Sequence, residues 1–314
     1  VRQAPAGSVL ANALRLVRFA SKGRFSWNPR QWYRNMTAEG FWTDALPSKY
    51  SIEERPSWMT WDDAWVMEVR RGFKACKVFL LYPIYWVCYN SINNNLISQA
   101  GSMTRNGLPN EVVSNLDPFA ILIFIPILDL FVYPALRRFG INFTPLKRIC
   151  AGFFTASLSM VGAAIIQYYI YKTSPCGYQA TNCDDPSPLN IWIQAPVYIL
   201  IALSEIFASI TGLEYAFTKA PKNMKSLVMS VFLFMTAISN AIGEALIALS
   251  EDPLLIWNYG VFAVLSFAAG CLFWLWFHKL DAEEDALNNL NESKYEDEKR
   301  TEPAPFAGEK APAA

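Results

Sequence analysis

The chain has 314 residues, and its 27 basic and 27 acidic side chains give a formal net charge of zero. A neutral chain carries no electrostatic argument for binding nucleic acid, and no such partner is predicted. Hydrophobic residues make up 53% of the chain and charged residues 17%, which is below the roughly 25% of an average soluble protein. This composition favours an integral membrane protein in a lipid bilayer.

The first 76 residues (1–76) are mixed and basic, and they predict a cytoplasmic region with amphipathic helices. Residues 8–25 follow an amphipathic helical pattern with Arg and Lys on one side. A helix on the inner leaflet and an ordinary linker helix both fit this pattern. A second helix is expected to start at Thr60 or Asp62, which can cap it, and to run into the first apolar run. Because the first residue is Val1 rather than Met, we expect the protein to begin further upstream.

Six apolar runs are long enough to cross a membrane, because a helical span needs about 20 apolar residues at a rise of 1.5 Å each. Short polar loops separate these runs. The predicted spans are 77–99, 119–137, 149–171, 191–217, 225–249 and 255–277. The sequence thus predicts an all-α membrane protein with a helical bundle at 77–278. The acidic, Pro- and Ala-rich tail at 279–314 is predicted to be disordered.

Basic residues concentrate in alternate connections between the spans. Arg137, Arg138 and Lys147 follow the second span, and Lys219 and Lys222 follow the fourth. In membrane proteins the cytoplasmic loops carry the excess of Lys and Arg. Both ends of this chain are therefore predicted to be cytoplasmic, as an even number of spans requires.

Two of the acidic residues within the predicted spans are candidate functional residues. Glu205 lies near the middle of the fourth span, and Asp129 interrupts the second. A carboxylate at this depth costs several kcal/mol, so it usually faces a polar cavity or a charged partner. Ser209 is one turn below Glu205 on the same helix face. Glu205 is therefore the first candidate for a functional residue, whereas Asp129 fits a structural salt bridge and a gating role equally well.

The cysteines fall into two groups. Cys176 and Cys183 share a short external loop, CGYQATNC, which is compatible with a disulfide bond and with two free thiols. A single histidine, His278, and the absence of metal-ligand spacing predict no metal site. The remaining cysteines are expected to be small apolar fillers in or near the spans: Cys76, Cys88, Cys150 and Cys271.

Three segments in the right order carry a family resemblance. They are KVFLLYPIYWVCYNSINNNLISQAGSM at 77–103, ILDLFVYPALRRFGINFTPLKR at 127–148 and SEIFASITGLEYAFTKAPKNMKS at 204–226. Together they closely resemble the proton-dependent oligopeptide transporter family of the major facilitator superfamily, and they look most like fungal di/tripeptide transporters. Family members have twelve spans in two six-helix bundles. The resemblance implies that this chain is the C-terminal half-bundle, preceded by the central cytoplasmic loop.

The resemblance also implies site residues. Glu205 matches the carboxylate that receives the α-ammonium group of a peptide, and Ser209 lies on the same wall. Asp129 matches an acidic residue that pairs during gating with a base on the seventh family helix; Lys74 is the positional match for that base and Lys77 the alternative. The other matched pocket positions are Trp86, an aromatic; Asn90, often acidic or amide in relatives; Asp117, often Asn in relatives; and Phe232, often Trp in relatives.

The expected function is proton-coupled symport of di- and tripeptides by alternating access in the plasma membrane. The proton is the coupling ion, no cofactor is expected, and the protein is not expected to be an enzyme. The expected partners are the peptide, the lipid bilayer and the N-terminal six-helix half, without which no activity is expected. Two alternatives stay open. One is transport of another solute such as nitrate, against which Glu205 argues; the other is a non-transporting scaffold or regulatory half-protein.

Overall fold

The computed structural model describes residues 9–278 and Leu280, apart from 23, 25, 29, 32–33, 36–39, 52–54, 56–58, 60, 92 and some side chains in the helices. The predicted disordered tail lies outside these residues except for Leu280. The chain divides into two compact units. The first contains the described residues up to Arg71 together with Pro221–Met224, and the second contains Gly72–Ala220 and the described residues from Lys225 onward.

Helices dominate both units. Two short strands, β1 (Met103–Thr104) and β2 (Ser187–Asn190), pair in parallel. The α-helices are α1 (Val9–Ala20), α2 (Gly40–Thr43), α3 (Asp63–Val78), α4 (Tyr82–Asn90), α5 (Asn95–Gly101), α6 (Leu116–Ile127), α7 (Tyr133–Arg138), α8 (Pro145–Thr173), α9 (Ala195–Ser204), α10 (Thr211–Lys219), α11 (Lys225–Ala245) and α12 (Leu255–Phe277). Two π-helical turns, Leu128–Val132 and Glu205–Ile210, join α6 to α7 and α9 to α10. Short 3₁₀ turns lie at Pro47–Lys49, Phe79–Leu81, Asn110–Asn115, Gly177–Asn182, Ile191–Gln194, Lys222–Met224 and Ile247–Leu249.

The first unit contains a small group of polar contacts around Asp44. Asp44 accepts hydrogen bonds from Lys49 and Arg24. The Tyr50 hydroxyl donates to the Asp44 carbonyl at 3.0 Å. The bonds from Lys49 and Arg24 hold the pKa of the Asp44 carboxyl below its ordinary value. These contacts therefore form above that value and are lost as the pH falls through the lowered pKa, and their exposure keeps their contribution small.

The predicted amphipathic helix is present as α1. Its buried face includes Ala13 and Leu16, whereas Leu10 is 50% and Leu14 is 56% exposed. The helix thus leaves apolar surface uncovered within the described part of its unit. A leaflet-bound helix and a linker helix both remain compatible with this arrangement.

Five helical segments of the described chain are long and apolar enough to cross a membrane. Each overlaps one of the last five predicted spans. They are Val112–Arg138, Pro145–Thr173, Ile191–Lys219, Lys222–Ala245 and Leu255–Phe277. Large apolar side chains on their outer faces are exposed, as a lipid-facing surface requires; Leu122 is 71%, Leu130 is 69% and Leu275 is 64% exposed.

The first predicted span, 77–99, does not form one helix. It is divided into α4 and α5 by the turn that follows Asn90, and Asn94 has non-helical backbone angles of φ −116° and ψ −89°. Asn side chains compete for backbone hydrogen bonds, so the Asn-rich run at 90–95 favours such a break. The total of six spans therefore stays a prediction.

The core of the second unit is built around α8, which packs against α9 and α12. The close approach of α8 to the neighbouring helices depends on glycine residues. A Cβ atom at Gly152 would lie 2.6 Å from the Ala208 Cβ and 2.7 Å from the Ala208 backbone nitrogen. Gly270 on α12 would similarly bring a Cβ to 3.1 Å from the Phe153 Cβ. Small residues let membrane helices approach closely, and here they seat α8 directly against the π turn that begins at Glu205.

A disulfide bond joins Cys176 to Cys183 at the end of the bundle. The loop that it closes is anchored on Asp252, which accepts hydrogen bonds from the Tyr171 hydroxyl and from the Thr181 backbone N–H, the latter at 2.8 Å. The disulfide and the Asp252 carboxylate therefore fix this loop together against the end of α8.

Replacing both Cys176 and Cys183 by Ala is expected to lower the melting temperature in detergent, because closing a loop of this length stabilises the fold by about 2 kcal/mol. The double variant should also lose sensitivity to dithiothreitol, which should lower the melting temperature of the unsubstituted protein. Cys271→Ala, a change at a free cysteine, is the control and should retain that sensitivity. Equal melting temperatures with and without dithiothreitol in the unsubstituted protein would contradict the prediction.

Candidate functional site

Glu205 is the first residue of the π turn that joins α9 to α10. Its carboxyl group lies close enough to the Tyr89 hydroxyl of α4 for the two groups to interact electrostatically. The second carboxyl oxygen, Oε2, is buried and has no hydrogen-bond partner among the described residues. A buried, unpaired carboxylate oxygen is costly, so this atom provides a strong acceptor for an incoming donor.

Two side-chain hydrogen bonds stabilise the π turn at Glu205–Ile210. The Tyr82 hydroxyl donates to the Ala208 carbonyl at 2.9 Å, and the Thr211 hydroxyl donates to the Ile206 carbonyl at 3.1 Å. Side chains that insert into the backbone ladder are a known cause of irregular helical turns. Gly212 makes the Tyr82 contact possible, since a Cβ atom there would lie 2.2 Å from the Tyr82 hydroxyl oxygen. The position of Glu205 therefore depends on contacts from other helices.

Tyr82→Phe is expected to lower the free energy of unfolding by about 1 kcal/mol, because it removes one buried hydrogen bond and keeps the ring. The melting temperature in detergent should fall by a few degrees. Tyr168→Phe is the matched control, because Tyr168 is 51% exposed on α8 and should tolerate the change. A melting temperature for Tyr82→Phe that equals that of the control would show that this hydrogen bond contributes nothing to stability.

Asp117 lies in the first turn of α6 and is 6% exposed. Its Oδ1 atom is buried and, within the described chain, unpartnered. The Tyr89 hydroxyl is close enough to be influenced by the charges of both Glu205 and Asp117, and Tyr198 is similarly close to Asp117. Two carboxyl groups thus converge on a site bordered by tyrosines.

Aromatic rings form one wall of this site. The Trp86 ring makes edge contacts with Tyr85 and Tyr89 at centroid distances of 5.3 and 5.5 Å. The Trp86 Nε1 atom is buried without a partner in the described residues, so it too can donate to a ligand. Phe232 is only 2% exposed and packs on Tyr82 at 5.2 Å, so it lies behind Trp86 in the core. Ser209 is half-buried in the π turn that carries Glu205.

Asn90 lies apart from this cluster. It donates from Nδ2 to the Asn240 Oδ1 atom at 2.9 Å and lines a polar cavity of about 630 Å³. Glu244 and the buried Ser239 also line this cavity. Its lining includes neither carboxyl group of the site described above. The structure therefore places Asn90 in a separate polar space between α4 and α11.

The gating candidates do not form an ion pair in this conformation. Asp129 is exposed in the π turn at Leu128–Val132, and no ion pair joins it to Lys74 or Lys77 in the part of the chain that the structure describes. Pro134, which lacks the N–H that would bond to the carbonyl four residues earlier, accounts for the wide turn. Asp129 lies instead near Tyr133, whose ring is 4.0 Å from the Arg148 guanidinium. Gating by Asp129 with either lysine stays a prediction.

Sequence reasoning missed three tyrosines of the site: Tyr85, Tyr89 and Tyr198. A signal for them was present. Tyr85 and Tyr89 are four residues apart, and Tyr198 precedes Glu205 by seven, so both spacings place side chains on a common helix face. Buried polar aromatic residues on the same face as an intramembrane carboxylate would have indicated a polar site.

The arrangement suits the binding of a cation through hydrogen bonds. It offers two carboxyl groups with unpaired oxygens and several hydroxyl groups that can accept hydrogen bonds. A metal centre is not indicated, because the described residues contain no group of three or more His, Cys, Asp or Glu side chains that could hold a metal ion. An organic ammonium group fits this set of acceptors and aromatic faces.

Comparison with known proteins decides the family. The family model described as the POT family matches residues 2–262. The chain belongs to the POT family. Two solved structures share its fold: an auto-inhibited POT family peptide transporter (TM-score 0.62, 20% identity, 89% of this chain and 55% of that one) and a POT family transporter crystallised in meso (TM-score 0.61, 22% identity, 90% and 56%). The predicted family and the all-α membrane fold are thereby confirmed, and this POT family chain is not an enzyme.

Named peptide transporters of fungi are among the similar proteins. A probable peptide transporter of Schizosaccharomyces pombe is 45% identical over 257 residues, which cover 78% of this chain and 42% of that protein. A peptide transporter of Candidozyma auris is 48% identical over 248 residues, with coverage of 77% and 42%. One of Saccharomyces cerevisiae is 38% identical over 313 residues, with coverage of 98% and 48%. The chain spans less than half the length of these relatives.

Proposed function

We propose that this POT family chain is the C-terminal half of a proton-coupled symporter of di- and tripeptides that works by alternating access. Its partner would be an N-terminal six-helix half, and the pair would act in the plasma membrane with both ends of this chain cytoplasmic. The observation that carries the proposal is the unpaired, buried Oε2 atom of Glu205 beside Tyr89 and Trp86. The names of the fungal relatives support a peptide as the substrate.

A zwitterionic peptide must lose water at both ends to enter a narrow site. A carboxylate in surroundings of low dielectric attracts the α-ammonium group far more strongly than it would in bulk water. Glu205 would bind this end, and Trp86 would contact the peptide without requiring a particular side chain. The carboxylate-binding end of the site would belong to the N-terminal half, so neither half alone would hold a peptide at both ends.

Proton coupling involves the same group. When the peptide leaves, an uncompensated carboxylate in a buried position is unfavourable, and uptake of a proton removes the charge. Protonation of Glu205 would therefore assist release of the peptide, and the main proton-coupling group would belong to the N-terminal half. No cofactor is needed for this step.

Uptake by assembled halves tests the proposal. The chain would be expressed in a yeast strain that lacks peptide transport, either alone or with the N-terminal half of the Schizosaccharomyces pombe relative. We expect uptake of labelled Ala-Ala only with both halves, and this uptake should increase when the external pH is lowered. Uptake by the chain alone would contradict the half-protein proposal. Uptake of labelled nitrate in place of peptide, or association of the halves without any uptake, would favour the corresponding alternative.

A further inference from the structure

A second carboxyl group stands beside the proposed ammonium site. Asp117 is almost fully buried, and its Oδ1 atom has no hydrogen-bond partner in the described chain, as is also true of the Oε2 atom of Glu205. The two carboxyl groups come from different helices, α6 and the turn after α9, and Tyr89 is close to both. The site thus has two carboxyl groups, one more than the single charge of an α-ammonium group can balance.

Among the described residues, no basic side chain forms an ion pair within 4 Å with Asp117 or with Glu205. The neighbouring groups Tyr89 and Tyr198 can each donate one hydrogen bond, but a neutral phenol cannot offset a negative charge. A zwitterionic peptide would bring one positive charge to a site with two carboxyl groups.

We infer that Asp117 determines specificity and selects peptides whose first residue has a basic side chain. This inference rests on the proposed function. Glu205 binds the α-ammonium group, and Asp117 binds the ammonium or guanidinium group of the first side chain. The attraction is strong because both carboxyl groups are removed from bulk water.

The preference concerns the first residue rather than the second. In an extended peptide, successive side chains point to opposite faces of the backbone. With the α-ammonium group bound to Glu205, only one of the two side chains of a dipeptide can therefore lie on the side of Asp117. The first side chain and the α-ammonium group are attached to the same Cα atom, so the first side chain starts closer to the neighbouring carboxyl than the second side chain does.

Competition against labelled Ala-Ala uptake by the assembled halves tests the inference. The competitors are Lys-Ala, Ala-Lys and norleucyl-Ala, whose first side chain has the same number of carbon atoms in line but no charge. For the unsubstituted chain, the half-inhibition concentration of Lys-Ala should be about tenfold lower than that of norleucyl-Ala. Ala-Lys should not share this advantage.

The decisive variant is Asp117→Asn, which keeps the size of the side chain and removes its charge. The ratio between Lys-Ala and norleucyl-Ala should fall to about one, and because it is taken within one variant, a change in expression or in overall affinity cancels. Asp184→Asn is the control for a lost surface carboxylate, because Asp184 is exposed in the loop before β2, and it should keep the tenfold ratio.

The outcomes separate the two proposals. A Lys-Ala preference that disappears in Asp117→Asn supports the inference. Equal half-inhibition concentrations in the unsubstituted chain, or a preference that survives in Asp117→Asn, contradicts the inference and leaves peptide transport intact. Absence of uptake of every dipeptide contradicts the proposed function and the inference with it.

Discussion

Replacing Glu205 by Gln is expected to weaken binding of a zwitterionic dipeptide at least about 30-fold. Gln keeps the shape of the side chain, but it cannot offset the charge of an α-ammonium group. Losing one partner of a buried, hydrogen-bonded charge pair costs about 2–5 kcal/mol, which corresponds to a factor of roughly 30 to several thousand. The measurement is the half-inhibition concentration of Ala-Ala in the assembled transporter.

Two controls make this result specific. Glu251→Gln removes an exposed carboxylate from a loop outside the site and should leave the affinity unchanged. N-acetylated Ala-Ala lacks the α-ammonium group, so its weak inhibition should be the same for the Glu205→Gln variant and the unsubstituted chain. Unchanged affinity of Glu205→Gln for Ala-Ala would show that another residue receives the amino terminus.

The second large effect concerns folding. Gly152→Ala should lower the free energy of unfolding by about 3 kcal/mol, which is the upper part of the range for overpacked cores. The added Cβ would lie 2.7 Å from the Ala208 backbone nitrogen and 3.0 Å from its Cα atom, so no flexible side chain can move aside. We expect a large fall in melting temperature in detergent and a lower yield of monodisperse protein.

Gly260→Ala is the matched control. Gly260 is also inside a long apolar helix, but a Cβ atom added there meets nothing within 4 Å. The helix should gain slightly from replacing Gly by Ala. Equal melting temperatures for the two variants would show that the contact between α8 and the π turn can relax without cost.

The sequence was informative about the spans because hydropathy is a property of each segment alone. The break after Asn90 was missed although the Asn-rich run at 90–95 that favours it is visible in the sequence, because high hydropathy on both sides of the run favoured a single helix. The sequence also could not predict the π turns. The turn at Glu205 is held by Tyr82, which is 126 residues away from Ala208 along the chain, and no periodicity within one segment carries that information.

The π turn also affects inferences drawn from helical geometry. One extra residue in a turn rotates every later position by about 100° relative to a regular helix. The facing of Ser209 relative to Glu205, deduced from a regular α-helix, therefore stays a prediction. Phe232 illustrates a similar limit. Its identity as an aromatic wall was predicted from the family, but only packing shows that Tyr82 and Trp86 cover it.

The hydrogen bond from Tyr82 to Ala208 has a mechanical consequence. Tyr82 begins the helix that carries Trp86 and Tyr89, and Ala208 lies three residues after Glu205. A tilt of α4 would therefore pull directly on the turn that presents the carboxylate. The aromatic wall and the proposed ammonium-binding group would therefore move together. A peptide bound to both would keep the same contacts during the conformational change.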